Sequence, residues 1–231
     1  EVLAPLNHGG DVEGCKIENG VVRTPTGFKK AYKQFAESGW NGLPFDTKYG
    51  GQGLPWLVST AVSELWSSAN MAFSLCPMLT QGAVELLMAH GSESLKDKFL
   101  EKLVSGEWNG TMNLTEPQAG TDLARVRTKA VKEGENYLIS GQKIYITYGE
   151  HDLTDNIIHM VLARVEGAPE GIKGVSLFLV PKFLINDDGS IGDRNDLRCV
   201  SIEHKLGIKA SPTAVLAYGD NDGAIGYLVG E

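Results

Sequence analysis

The sequence predicts an α+β chain, with an N-terminal helical domain over residues 1–107 and a middle domain over 108–231 built as an antiparallel β-barrel or sandwich. Three observations predict it. Apolar residues recur with helical period before residue 107. After it, short β-branched runs alternate with Gly and Asp turns. Those strands follow one another without intervening helical patterns, which favours a sandwich or barrel over a parallel α/β sheet.

Taken in order, residues 1–25 read as an irregular lead-in, because Pro5, Gly9, Gly10, Gly14 and Gly20 break any period. Phe28, Ala31, Tyr32, Phe35 and Ala36 form one helical stripe, which Gly39 ends. Pro55 suits the first turn of a second helix running to about Ala69. A third is expected from about Thr80 to His90. A fourth is expected to start at Ser92 or Ser94 and to stop at Gly106. From Trp108 the pattern is β. Tyr137–Ser140 and Lys143–Thr147 are expected to pair with each other, and Gly134-Glu135-Asn136 to form a turn. Ile157–Val165 and Val175–Val180 read as buried strands. The Asn186–Ser190 cluster reads as a turn on a surface excursion, and Thr213–Tyr218 and Ala224–Val229 as the last strands.

Lys plus Arg number 21 against 29 Asp plus Glu, a net charge of −8, which speaks against a nucleic-acid binder. An apolar content of 42% excludes a disordered chain. No run approaches the roughly 18 apolar residues that a membrane helix needs, so no span is expected. Cys15, Cys76 and Cys199 are odd in number and widely spaced, which fits neither a disulfide framework nor a zinc site and suits a reducing, cytoplasmic compartment. No signal-peptide pattern opens the sequence. The chain begins with Glu and stops at Gly230-Glu231, and it reads as a piece of something longer.

Two constellations carry chemistry. Leu114-Thr-Glu-Pro-Gln-Ala-Gly-Thr-Asp122 gathers hydroxyls, carboxylates and a Gly on a non-repetitive backbone, able to aim several donors at one polar ligand. A well-capped β-connection explains it equally well. In Ile144-Tyr-Ile-Thr147, alternation puts Tyr145 and Thr147 on one face, where an aromatic and a hydroxyl can flank a planar heterocycle. A solvent-side Tyr–Thr pair is the plainer account. Gly50-Gly51-Gln52-Gly53 lacks phosphate-loop spacing and reads as a helix entry. His151-Asp152 lacks a nucleophile motif and reads as a capped turn, and His159 reads as a hydrogen-bonded core histidine.

Together, in this order, the two constellations resemble those of an acyl-CoA dehydrogenase. His204-Lys-Leu-Gly-Ile-Lys-Ala-Ser-Pro-Thr213 and Tyr49-Gly-Gly-Gln-Gly53 are similar to further family segments. Gly39–Leu43, Gly51–Pro55, Ser67–Ala72 and Gly149–Leu153 are most similar to the 3-methylmercaptopropionyl-CoA dehydrogenase group. The resemblance implies the family's helical and β domains without its C-terminal helical bundle. It implies FAD as cofactor, an acyl-CoA thioester as substrate and a 2,3-enoyl-CoA as product. It also implies an electron-acceptor protein such as an electron-transfer flavoprotein, and a homodimer or homotetramer.

Residue by residue, the resemblance implies that the backbone at Met112 and Leu114 and the Thr115 hydroxyl bind the flavin's pyrimidine side. Gly120 and Thr121 would approach the pyrophosphate, with Thr121 also near the thioester arm. Tyr145 would cover a flavin face beside Ile146, and Thr147 would bond near N5. No catalytic residue is implied within the chain, because the family's Glu base lies in its C-terminal domain. The chain alone is then expected to be inactive, to hold FAD weakly and to expose an apolar face. Asn113 and Arg125 stand where the family has small residues, and Tyr145 where it often has Trp. A monooxygenase or nitroalkane-oxidase-like flavoenzyme, or a non-catalytic binding protein of this fold, stays open as an alternative.

Overall fold

A computed structural model describes residues 1–230 of the chain. The lead-in is regular, which corrects the expectation for residues 1–25. Helix α1 spans Ala4–Glu13, and strands β1 (Lys16–Glu18) and β2 (Val21–Arg23) form a hairpin. The glycines that hide α1 from pattern reading serve packing. A Cβ on Gly10 would stand 2.7 Å from the Phe28 ring.

Helix α2 (Phe28–Glu37) buries Phe28, Ala31, Tyr32 and Phe35, the stripe read from the sequence. Helix α3 (Trp56–Ala69) starts directly after Pro55. Helix α4 runs from Met71 to His90, nine residues earlier than expected. The side chain of Asn70 caps it by accepting from Phe73 N at 3.0 Å. Pro77 lies inside it and removes the donor that would face the Phe73 carbonyl, a feature that usually signals a break. By length and apolarity alone α4 could cross a membrane, which the count of apolar runs overlooked. Half of its most apolar window is buried inside the fold, as in a core helix. Helix α5 (Glu93–Ser105) has Ser92 as its cap, accepting from Leu95 N, and ends at Gly106 with φ 78°.

The β half is built on β3 (Trp108–Asn113), β4 (Lys129–Glu133), β5 (Asn136–Thr147), β6 (Asn156–Val165) and β7 (Val175–Pro181). A hairpin of β8 (Phe183–Ile185) and β9 (Ile191–Arg194) stands apart around the Asn186–Ser190 turn. Strands β10 (Leu197–Ile202), β11 (Thr213–Tyr218) and β12 (Ala224–Val229) complete it. Tyr137–Ser140 and Lys143–Thr147 do not pair. They are two halves of β5, and Gly141 between them (φ 151°) lets the strand change partners. The first half pairs with β4 and β12, and the second with β11. The strands β4, β5, β12, β7 and β6 close a ring. The sheet is mixed rather than wholly antiparallel, because β6 pairs in parallel with both β3 and β4.

Three apolar clusters hold these parts. Ala130, Ile139, Val161, Phe178 and Leu216 fill the barrel. Val84, Leu87, Phe99 and Leu103 join α4 and α5 to Trp108 and Met160. Phe28, Tyr32, Phe73 and Cys76 join α2 and α4 to Tyr148. Leu57 and Leu65 of α3 and Met71 and Met78 of α4 are exposed.

The contact between α4 and β3 is close at one point, where a Cβ on Gly110 would lie 2.4 Å from Ala83 Cβ. Gly110→Ala is expected to destabilise the chain by about 1–3 kcal/mol through overpacking. Urea midpoints measure this, and Ala83→Gly in the same chain is expected to restore much of the loss. Equal midpoints for Gly110→Ala and the parent sequence would contradict the packing account.

Candidate functional site

The site forms where β3 runs out beside the second half of β5. The Thr115 carbonyl accepts from Ile144 N at 2.9 Å, which sets Leu114 and Thr115 alongside Ile144 and Tyr145. The next turn folds on itself. Glu116 N donates to the Ala119 carbonyl at 2.7 Å, and Ala119 N donates to the Glu116 carbonyl at 3.0 Å. The chain returns so that a Cβ on Gly120 would touch Thr115 Cγ2 at 3.8 Å.

Strand β5 carries a bulge here. Its register with β11 shifts between the Ala214–Ile146 and Leu216–Lys143 pairs, and Tyr145 sits at φ 59°. The bulge breaks strict alternation. Lys143 and Ile146, three positions apart, are both buried, while the Tyr145 side chain is 61% exposed. A left-handed backbone at a bulky residue is uncommon, and it turns an aromatic ring outward beside the loop.

The structure therefore brings Met112, Leu114, Thr115, Gly120, Tyr145, Ile146 and Thr147 into one neighbourhood. Met112, Leu114, Thr115 and Thr147 are half-buried along the shelf, and Ile146 lies beneath it. Thr121 is exposed just after that turn. Among the described residues, neither the Thr115 nor the Thr147 hydroxyl has a hydrogen-bond partner, so both are available to a ligand. An exposed aromatic ring, two unpaired hydroxyls and a loop without bulk at Gly120 fit a planar, polar-edged group.

A buried ion pair that sequence reasoning missed holds the shelf. Lys143 Nζ donates to Glu116 Oε1 at 2.8 Å and to the Leu114 carbonyl at 3.0 Å. Glu116 also accepts from Thr128 N, Thr128 Oγ1, Arg127 N and Gln118 Nε2. Burial alone would push the Glu116 carboxyl up, but Lys143, Thr128 and Arg127 hold it below the usual carboxylate range. Burial lowers the Lys143 ammonium, with Glu116 opposing. The one available signal was a Lys placed beside the isoleucines of β5.

Behind the shelf runs a neutral chain. Tyr218 Oη donates to Asn113 Oδ1 at 2.9 Å, and Asn113 Nδ2 donates to Thr111 Oγ1 at 2.7 Å. The Thr111 hydroxyl is then left to donate to His159 Nδ1 at 2.7 Å. Asn113, an outlier by resemblance, has this buried task. His159 is a buried, hydrogen-bonded histidine, and burial lowers its pKa to about 3, aided by Lys182 and Arg194.

His151 and Asp152 turn to different partners. His151 Nδ1 accepts from Leu153 N at 3.2 Å, while Asp152 Oδ1 accepts from Thr24 Oγ1 at 2.7 Å, so they form no catalytic dyad. Burial lowers His151 well below the usual histidine range, with Lys182 and His159 adding to it. Beside it, the buried Glu150 carboxylate pairs with Lys182 and, at 3.4 Å, with Arg194. Gly51 and Gly53 donate to the Asp46 and Phe45 carbonyls, so the Gly50–Gly53 run is a folded entry to α3.

Comparison with known proteins agrees with this geometry. Residues 18–107 match the family described as acyl-CoA dehydrogenase, N-terminal domain, and residues 111–220 that described as acyl-CoA dehydrogenase, middle domain. The chain is 55% identical over its whole length to a 3-methylmercaptopropionyl-CoA dehydrogenase of Ruegeria pomeroyi, covering 39% of that protein. It is 41% identical, again over its whole length, to a butyryl-CoA dehydrogenase of Syntrophomonas wolfei, covering 38% of it. A solved acyl-CoA dehydrogenase complexed with FAD, from Bacillus anthracis, superposes with a TM-score of 0.72 at 27% identity, over 89% of this chain and 32% of that one. The chain thus spans about two-fifths of the length of these curated relatives. Two consecutive domain matches, together with a shelf formed where both signature segments meet, show that the chain belongs to the acyl-CoA dehydrogenase family.

Proposed function

We propose that the protein carrying this chain is an FAD-dependent acyl-CoA dehydrogenase that converts an acyl-CoA thioester to the 2,3-enoyl-CoA, with 3-methylmercaptopropionyl-CoA as substrate. The observation that carries the reading is the bond from Ile144 N to the Thr115 carbonyl, which unites the two signature segments into one shelf. Relatives bearing dehydrogenase names at 55% and 41% identity support the chemistry.

In this reading the flavin supplies a hydride acceptor at the substrate β-carbon. This chain binds and orients. Backbone at Met112 and Leu114 and the Thr115 hydroxyl hold the polar edge of the ring system. The Tyr145 ring would cover one face of the ring system beside Ile146, and the Thr147 hydroxyl would hydrogen-bond its edge. Gly120 leaves room for a pyrophosphate, and Thr121 stands toward the thioester arm. Glu116 serves no proton transfer, because both its oxygens are already taken by donors. The base is supplied from outside residues 1–231. An electron-transfer flavoprotein takes the electrons onward, and the protein works as a homodimer or homotetramer in the cytoplasm.

An anaerobic titration of the full-length protein with a panel of acyl-CoA thioesters tests the reaction. Bleaching of the visible flavin band by the methylthio thioester is the expected result, and a yellow protein that no thioester bleaches would sink the reading. Separately, Tyr145→Ala and Thr147→Val are each expected to weaken FAD binding by about tenfold, the scale of one contact of this kind. Fluorescence titration of the apoprotein measures it, and unchanged affinity in both variants would remove the shelf from the cofactor site.

A further inference from the structure

Arg164 of β6 spends its guanidinium on four backbone carbonyls. It donates to Ala124 at 3.1 Å, Val126 at 3.3 Å, Pro169 at 3.0 Å and Gly171 at 2.9 Å. The first two belong to the stretch after the signature turn, and the other two to the loop between β6 and β7. One buried-stem arginine therefore staples two outer loops to the barrel.

What the staple presents is cationic. Arg125, Arg127 and Lys129 are exposed, with buried Val126 and Thr128 between them. Lys173, also exposed, stands on the second stapled loop. None of these four has an ion-pair partner among the described residues, in a chain whose net charge is −8. The row is tied to the loop that carries Thr121. Arg127 N donates to Glu116 Oε2 at 2.8 Å, and Gln118 Nε2 donates to the Arg125 carbonyl at 3.3 Å.

We propose that this ledge binds the phosphates of the CoA part of the substrate, an inference that rests on the acyl-CoA reading above. Unpaired guanidinium groups are the side chains best suited to phosphate oxygens. Arg125 closes a short 3-10 turn (Leu123–Arg125) and Lys129 opens β4, so the cations lie close together along one short stretch of chain. The staple holds the ledge in place before ligand arrives, which removes an ordering cost from binding.

The test compares two thioesters of the same acid in the full-length protein, one on CoA and one on pantetheine, which lacks every nucleotide phosphate. Arg125→Ala, Arg127→Ala and Lys129→Ala are combined in one variant. Its preference for the CoA thioester over the pantetheine thioester, as a ratio of kcat/KM, is expected to fall about tenfold or more through a raised KM for the CoA thioester. Raising salt is expected to erode the ratio in the parent protein and much less in the variant. Arg127→Lys alone is expected to keep most of the preference. Equal losses on both thioesters, or an unchanged ratio, would overturn the proposal. Loss of binding to phosphatidylglycerol vesicles with the ratio unchanged would overturn it too, and would assign the row to an anionic surface. A parent protein that oxidises neither thioester would overturn the acyl-CoA reading, and the ledge with it.

Discussion

Replacing Glu116 with alanine is expected to lower stability by about 3–5 kcal/mol, the usual consequence of leaving one partner of a buried ion pair alone. For a chain of this size that corresponds to a Tm lower by roughly 6–20 °C. The effect has two sources. Lys143, with a side chain fully buried, keeps its charge beside only the Leu114 carbonyl. The Arg127 and Thr128 backbone N–H groups lose their acceptor as well. For that second reason, pairing Glu116→Leu with Lys143→Met is expected to recover part of the loss and not all of it. Thermal unfolding by circular dichroism measures all three proteins. A single variant within about 1 kcal/mol of the parent would show that the pair is solvated in solution.

Stability is expected to fall as pH drops from 7.5 to 5.0, by about 2 kcal/mol from His159, with His151 acting in the same direction. His159 has its pKa lowered to about 3 in the folded chain, and His151 is lowered well below its usual value. In the unfolded chain both titrate near 6.5. Between that value and the depressed folded values the unfolded state binds protons that the native state refuses. The stabilisation is therefore complete above about pH 6.5 and is lost progressively below it. Lys182 and Arg194 enforce this direction, since both add to the effect of burial at His159. The Glu116 contribution belongs to a lower window, because its carboxyl is held below the ordinary carboxylate range. Urea midpoints across the range read the slope, and His159→Gln is expected to reduce it. A midpoint that is flat from pH 7.5 to 5.0 would contradict the burial of both rings.

Much of this was legible in the sequence where one residue type dictates one geometry. The stripe of α2, the Ser92 cap and the Gly106 stop each follow from local rules, and each is where the chain put it. The signature residues were legible as a set because hydroxyls, an aromatic and small residues cluster at two short stretches. The misses share one cause, namely that the deciding partner is far along the chain. Nothing near Gly10 announces the Phe28 ring that allows a helix there. Nothing near Pro77 announces that α4 tolerates it, or near Gly141 that β5 exchanges one neighbour for another. The ion pair joins Glu116 to Lys143 across a turn and a strand, and a lysine among isoleucines gives no hint of its mate. The bulge at Tyr145 shows in pairing register alone, so period-2 reasoning assumed too regular a strand.

The barrel ring has a consequence for synthesis on the ribosome. Its final member in sequence, β12, lies between β5 and β7, both made much earlier. Until Ala224–Val229 leaves the exit tunnel, the facing edges of β5 and β7 offer unpaired N–H and C=O groups. The nascent chain therefore passes through a stage with α1–α5 and the preceding strands made but a gap in the wall of the barrel. Such open edges recruit strands from other chains, so elongation speed over Ala224–Val229, and chaperone cover during it, bear directly on yield.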